Sequence, residues 1–154
     1  MLAMKKILPV VGLIVAAFVG SQETGFFDKL AVDAPSSSPG VSADTSQKLS
    51  DAFNNHVSDL QVAGSGRVTR LLADDNQGSR HQRFLIRTDA GQTVLIAHNI
   101  DLASRIDGLM VGDEIEFNGE YEWNDKGGVI HWTHRDPRGR HEAGWLRHQG
   151  RTYD

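Results

Sequence analysis

The chain has 154 residues and a formal net charge of −4. That is a one-domain length, and the acidic balance excludes a global basic field that would gather nucleic acid over the whole surface. With no cysteine present, a disulfide framework, a thiolate metal site and the lipid-attachment cysteine of a bacterial lipoprotein are excluded as well.

In chain order, the first segment is an address. Lys5 and Lys6 precede an apolar run from Ile7 to Val19, and the small residues Gly20 and Ser21 follow. A basic start, a short apolar stretch and a small-residue boundary make a secretory signal peptide over residues 1–21, with cleavage expected after Ala17 or after Ser21. An uncleaved anchor is the rival reading. The run is shorter than the roughly 20 apolar residues that cross a bilayer comfortably, and Pro9 interrupts it. The expected protein is therefore exported, periplasmic or secreted, and meets a membrane only if the leader is retained. Residues 22–45 read as a flexible linker, because Ala34-Pro35-Ser36-Ser37-Ser38-Pro39-Gly40 is linker composition.

Residues 46–154 read as one mainly β domain. Asp44-Thr45-Ser46 offers capping oxygens for a helix running to about Leu60. Leu49, Phe53, Val57 and Leu60 form its apolar stripe, with His56 beside it on the surface. The period then turns from helical to alternating, and five strands are predicted. The first covers 62–72, bent near Gly64 and Gly66. The second covers 81–88, with Phe84 and Ile86 on one side and His81, Arg83 and Arg87 on the other. The third covers 93–98, the fourth 113–123, and the last begins at Val129. Asp101 can cap a short helix holding Leu102 and Ile106. A bend in the first strand and a short helix between the third and fourth are the order of a five-stranded OB-like small barrel, preceded here by one amphipathic helix. An SH3-like barrel or an open five-stranded sheet is the competitor.

The fourth strand fixes its own orientation. Ile115, Phe117, Tyr121 and Trp123 alternate with Glu114, Glu116, Glu120 and Glu122, giving one apolar and one acidic face. A four-residue loop, Asp125-Lys126-Gly127-Gly128, sets Trp123 opposite Ile130, Tyr121 opposite Trp132 and Glu122 beside His131. A slip of one residue would carry the glutamates onto the apolar side.

Unusual chemistry concentrates in HWTHRDPRGRHEAGWLRH, residues 131–148, which hold four of the seven histidines. Histidine exchanges a proton near neutral pH and is the commonest metal ligand. Residues 131–151 carry a net +3, whereas residues 107–125 carry −7 with no Lys or Arg. Adjacent blocks of opposite sign are expected to pair. His131 and His134 have H-x-x-H spacing, but residues three apart on a strand point to opposite faces. The expected state of His131 is a cross-strand pair with Glu122, worth about 0.2–1 kcal/mol.

Asp136-Pro137-Arg138-Gly139 fits a type I turn, flanked by His134-Arg135 and Arg140-His141. A tight hairpin there brings His134 near His141 and Arg135 near Arg140, and two such arginines need a carboxylate or a bound anion between them. Two histidines make half a zinc site, which His81 or His98 from the barrel end would have to complete. Trp132 is assigned to the core, and Trp145 either to the core or to a stacking surface for a base or sugar ring. His81-Gln82-Arg83 lies where OB barrels bind ligands. His98-Asn99 is a polar pair beside an apolar run, either a site or a satisfied hydrogen-bond network.

The runs Gly78-Ser79-Arg80-His81-Gln82-Arg83-Phe84, Ile96-Ala97-His98-Asn99-Ile100-Asp101 and His131-Trp132-Thr133-His134-Arg135-Asp136-Pro137 resemble a bacterial domain-of-unknown-function family, number three-four-six-five, of small proteins with N-terminal leaders. The resemblance runs from about Asp51 to Tyr153, and H-W-T-H-x-D-P is its specific marker. It implies no activity and transfers no catalytic residue. It does imply that the His/Arg segment is a shared feature.

No G-x-S-x-G, P-loop or H-E-x-x-H is present. The first functional reading is an exported binding module without a cofactor. Its ligand is anionic or polar: an oligosaccharide, another envelope protein or, less favoured, nucleic acid. The candidate binding residues are His81, Arg83, His98, Asn99, His134, Arg135, Asp136, Arg140, His141 and Trp145. The alternative is a histidine- or metal-dependent hydrolase of phosphodiester-type substrates, with a divalent ion such as zinc near His134 and His141.

Overall fold

The structure, a computed structural model, describes residues 39–154, with side chains from Asp44 onward. The expected leader and most of the expected linker lie outside the described residues. Helix α1 (Pro39–Asn54) is followed by β1 (Leu60–Leu71), β2 (His81–Arg87), β3 (Thr93–Asn99), β4 (Glu114–Glu122), β5 (Val129–His131), β6 (Trp145–His148) and β7 (Arg151–Tyr153). The ladder runs β1-β2-β3-β5-β4, and β4 pairs again with β1, so five strands close into an OB-like barrel. β3 and β5 are parallel, and the other barrel pairs are antiparallel. Among the described residues no helix is long and apolar enough to cross a membrane.

Closure depends on β1. Leu60 to Arg67 pair with β4, and Arg67 to Leu71 then pair with β2. The glycines of this strand serve close approach. A Cβ on Gly64 would lie 2.7 Å from the Thr45 methyl, and one on Gly66 3.0 Å from Ile86 Cδ1. The ladder irregularity itself falls later, between Val68 and Arg70. Phe84, Ile86, Val94, Ile96, Ile115, Phe117, Tyr121 and Ile130 are fully buried, as the alternation requires.

Leu49 and Ala52 of α1 join that core. Thr45 donates its hydroxyl proton to the Ala63 carbonyl, and Lys48 Nζ donates to the Gln61 carbonyl at 3.0 Å. The helix starts earlier than its expected caps, with Pro39 in the first turn, where a missing N–H is harmless. It also ends earlier. His56 and Asp59 take left-handed φ values of 55° and 57°, so Val57 is exposed and Leu60 opens β1. The Phe53 carbonyl accepts the His56 N–H at 3.3 Å and Trp123 Nε1–H at 3.0 Å, and the Trp123 ring meets that of His56 at 4.2 Å.

Two local expectations are corrected. The β4–β5 loop spans 123–128 instead of four residues, so Tyr121 faces Ile130 and Glu120 faces His131. Asn124 explains the longer loop: its Oδ1 accepts the N–H of Lys126 at 2.9 Å and of Gly128 at 3.0 Å. The pairing is displaced by two residues, which keeps every side chain on its face. The short helix expected at 101–106 is replaced by turns. Buried side chains satisfy that backbone instead: Gln82 exchanges bonds of 3.0 and 2.8 Å with the carbonyl and N–H of Ile106.

β6 and β7 carry no readable signal, being runs of four and three residues with charges among them. β6 lies on the same edge of β4 as β5: Glu120 faces His131, and Asn118 faces Trp145. Together β5 and β6 follow one side of β4 as an interrupted strand from which residues 132–144 loop out. The loop ends are pinched. A Cβ on Gly119 would stand 2.5 Å from the His131 carbonyl oxygen, one on Gly144 would stand 1.8 Å from that of Trp132, and Gly144 N–H donates to the His134 carbonyl at 3.0 Å. This is an Ω-type loop.

Candidate functional site

Trp132, the first loop residue, has φ 52° and leaves the ladder. It is half-buried, not a core residue as expected from a continuing strand. With Leu102, Asp136, Pro137, Arg138, Arg140 and His141 it lines an open cleft of about 620 Å³. Asp136 shapes the loop. Gly139 N–H donates to its carbonyl at 2.9 Å, closing the expected type I turn. Its carboxylate accepts the N–H groups of Arg138 at 2.9 Å, Arg140 at 2.8 Å and His141 at 3.1 Å. Those backbone donors hold the Asp136 carboxyl below the usual carboxylate range.

His141 stacks on Trp132, with ring centroids 4.1 Å apart and planes 7° from parallel. Its Nδ1 is 2.8 Å from the Glu142 carbonyl and its Nε2 is 2.7 Å from Glu120 Oε2. Both partners are acceptors, so both ring nitrogens donate and the ring is an imidazolium. Burial alone would lower its pKa. The Glu120 and Glu142 hydrogen bonds and the charges of Glu120 and Asp136 outweigh it and raise the value. His134 is buried, its Nδ1 bonded to the Arg135 carbonyl at 2.8 Å and its ring 5.3 Å from that of Trp132. Arg135 turns away to Asp154, with Nε and Nη2 each 2.8 Å from Oδ2, and is not set against Arg140. Arg138 and Arg140 are exposed, and among the described residues neither guanidinium has a hydrogen bond or ion pair.

The remaining candidates lie elsewhere. His98 is fully buried, with Nδ1 2.8 Å from Thr133 Oγ1 and Nε2 3.1 Å from the Ser104 carbonyl. A carbonyl only accepts, so Nε2 carries the proton and Nδ1 accepts from the threonine. Burial, helped by the charges of His134 and His81 and opposed by the Ser104 bond, lowers its pKa to about 4. Asn99 accepts the Asp101 N–H at 2.9 Å in a turn. His81 Nδ1 is 2.8 Å from the Ser79 carbonyl. Arg83 donates twice to the Ala73 carbonyl, both at 3.1 Å, and lines a separate recess of about 60 Å³. Trp145 is half-buried under the Arg147 guanidinium, 5.0 Å from its ring centre.

The structure thus brings Asp136, Arg140 and His141 to one cleft, places His134 against its tryptophan, and leaves His81, Arg83, His98 and Asn99 on β2 and β3. The four imidazoles expected at one barrel mouth do not form a common donor set. Among the described residues, the side chains that do are Glu120, Glu122 and His131. The opposite charge blocks do pair: His131 with Glu120 and Glu122, His141 with Glu120, Arg147 with Glu116 and His148 with Asp113. Three of the four basic partners are imidazoles, and the two cleft arginines are not among them. Trp132, Arg138, Pro137 and Leu102 were missing from the expected site. The D-P-R-G turn signalled Arg138 and Pro137, whereas Leu102 arrives from the β3–β4 connection and has no local signal.

No curated protein matches this chain. The model of the family described as "Protein of unknown function (DUF3465)" matches residues 31–154, so the chain belongs to that family.

Proposed function

We propose that this protein is an exported binding module that takes an anionic or polar ligand in the cleft beside the Trp132–His141 stack. The observation that carries the reading is the pair of exposed guanidinium groups, Arg138 and Arg140, which make no hydrogen bond or close ion pair among the described residues, next to a stacked aromatic pair. Arginine offers planar, bidentate donors to phosphate, sulfate or carboxylate. Trp132, Pro137 and Leu102 supply an apolar wall for a ring or chain. The loop is braced before any ligand arrives by the Asp136 bonds and the pinched glycines, which lowers the ordering penalty of binding. The net charge of −4 favours a small or locally charged ligand over nucleic acid. Export is supported by Lys5-Lys6 ahead of the apolar run. In the hydrolase alternative His141 is an unsuited base, because both of its ring nitrogens are engaged by the Glu142 carbonyl and Glu120, and the role falls to the Asp136 carboxylate.

The test is calorimetric titration with inorganic phosphate, a dinucleotide and a sulfated disaccharide. At least one is expected to bind, and the Arg138→Ala/Arg140→Ala variant to bind it about tenfold or more weakly, since charge-assisted hydrogen bonds contribute about 1.5–3 kcal/mol. An unchanged affinity, or no binding by any of the three, overturns the reading. N-terminal sequencing of the exported protein is expected to begin at Phe18 or Gln22. An intact leader would refute cleavage.

A further inference from the structure

Glu120 and Glu122 stand two residues apart on the acidic face of β4, and β5 sets His131 directly across from Glu120. His131 Nε2 is 3.4 Å from Glu120 Oε1 and 3.8 Å from Glu122 Oε1. The ring is half-buried, but Nε2 itself is shielded from solvent and makes no hydrogen bond. This is odd for a nitrogen with a carboxylate on either side. An imidazole that bonds a carboxylate closes to roughly 2.7–2.9 Å, as His141 and His148 do here at 2.7 and 2.8 Å. Donors that share an ion are spaced differently. With metal–ligand bonds of about 2.0–2.1 Å, neighbouring ligand atoms in a tetrahedral or more open arrangement stand roughly 3.3–3.9 Å apart. Both distances around His131 fall in that range, and the three candidate ligand atoms lie within 4.8 Å of one another.

We infer that Glu120, Glu122 and His131 form a binding site for a divalent transition ion of the Zn²⁺ type. One imidazole and two carboxylates suit such an ion, and the imidazole disfavours Mg²⁺ and Ca²⁺, which take oxygen ligands. The remaining Glu120 oxygen is held by His141 Nε2 at 2.7 Å. His141 is therefore a positioning residue that fixes the carboxylate's rotation, the support that ligating carboxylates ordinarily have. Three protein donors leave a position for water or a further ligand. Because Glu120 is shared between the ion and the imidazolium on Trp132, the ion would tie the 132–144 loop to the barrel. The inference stands on this geometry and not on the anion reading of the cleft.

The experiment is titration of the chelator-treated full chain with Zn²⁺ alone and with Mg²⁺ alone, followed by calorimetry and thermal melting. One equivalent of Zn²⁺ is expected to bind and raise the Tm, with Mg²⁺ at least a hundredfold weaker. Glu122→Gln, isosteric and half-exposed, and His131→Ala should each weaken Zn²⁺ at least tenfold, and His141→Ala about tenfold. Substoichiometric binding, or variants that bind Zn²⁺ as the parent does, would show an adventitious ion and overturn the site. If His131→Ala melts prematurely without metal, Glu122→Gln decides alone.

Discussion

Burial decides what a histidine does, and His98 is the clearest instance. Its ring is neutral in the fold, with a pKa lowered from 6.5 to about 4. As pH falls through 6.5, the unfolded chain takes up a proton that the folded ring refuses. Its contribution to stability is therefore full above about pH 6.5, shrinks as pH falls toward 4, and levels off below that. One such group changes stability by at most about 1.4 kcal/mol per pH unit and roughly 3 kcal/mol in all. Urea midpoints of the parent and His98→Gln between pH 7 and pH 4.5 should show the steeper acid loss in the parent. Parallel curves would mean that His98 is not held neutral. Part of this was legible in advance, because His98 stands on the core side of a strand with Ile96 and Val94. A polar side chain at such a position has to find an internal partner. That the partners are Thr133 and Ser104 follows only from tertiary structure.

Strands were recognisable as elements, but not always in their pairings. The apolar–acidic alternation of β4 survives a two-residue displacement of its partner, so faces could be read where neighbours could not. The last strand misleads in a particular way. Trp132 continues the alternation of Ile130, and only its positive φ and the crowding at Gly119 and Gly144 turn the chain outward. Those causes are backbone events with no side-chain pattern. Gly144→Ala would drive a methyl into the Trp132 carbonyl and should cost about 2–4 kcal/mol. Gly139→Ala meets nothing within 4 Å and strains only a φ of 61°, so about 1 kcal/mol is expected. Thermal melts of the two variants should differ plainly, and equal small shifts would refute the pinch.

For the molecule as a whole, α1 belongs to the barrel it precedes. Leu49 is fully buried in the common core, and Leu49→Ala should cost about 2–5 kcal/mol, lowering the melting midpoint of a single cooperative transition. A midpoint within a degree of the parent would show the helix to be an appendage. The barrel order was the most legible property of the sequence, since it needs only strand count and a bend. The cleft was legible in its D-P-R-G turn and its arginines. It was hidden in its wall, because Leu102 and Trp132 converge through topology.

A barrel strand that departs after His131 and resumes along β4 at Trp145, with the ladder intact before and after the break, separates scaffold from sampling surface. What is captured can be rewritten by exchanging the turn at residues 135–140, while buried Thr133 and His134 stay in place against the barrel. Grafting an unrelated segment there is then a route to new recognition on an old frame.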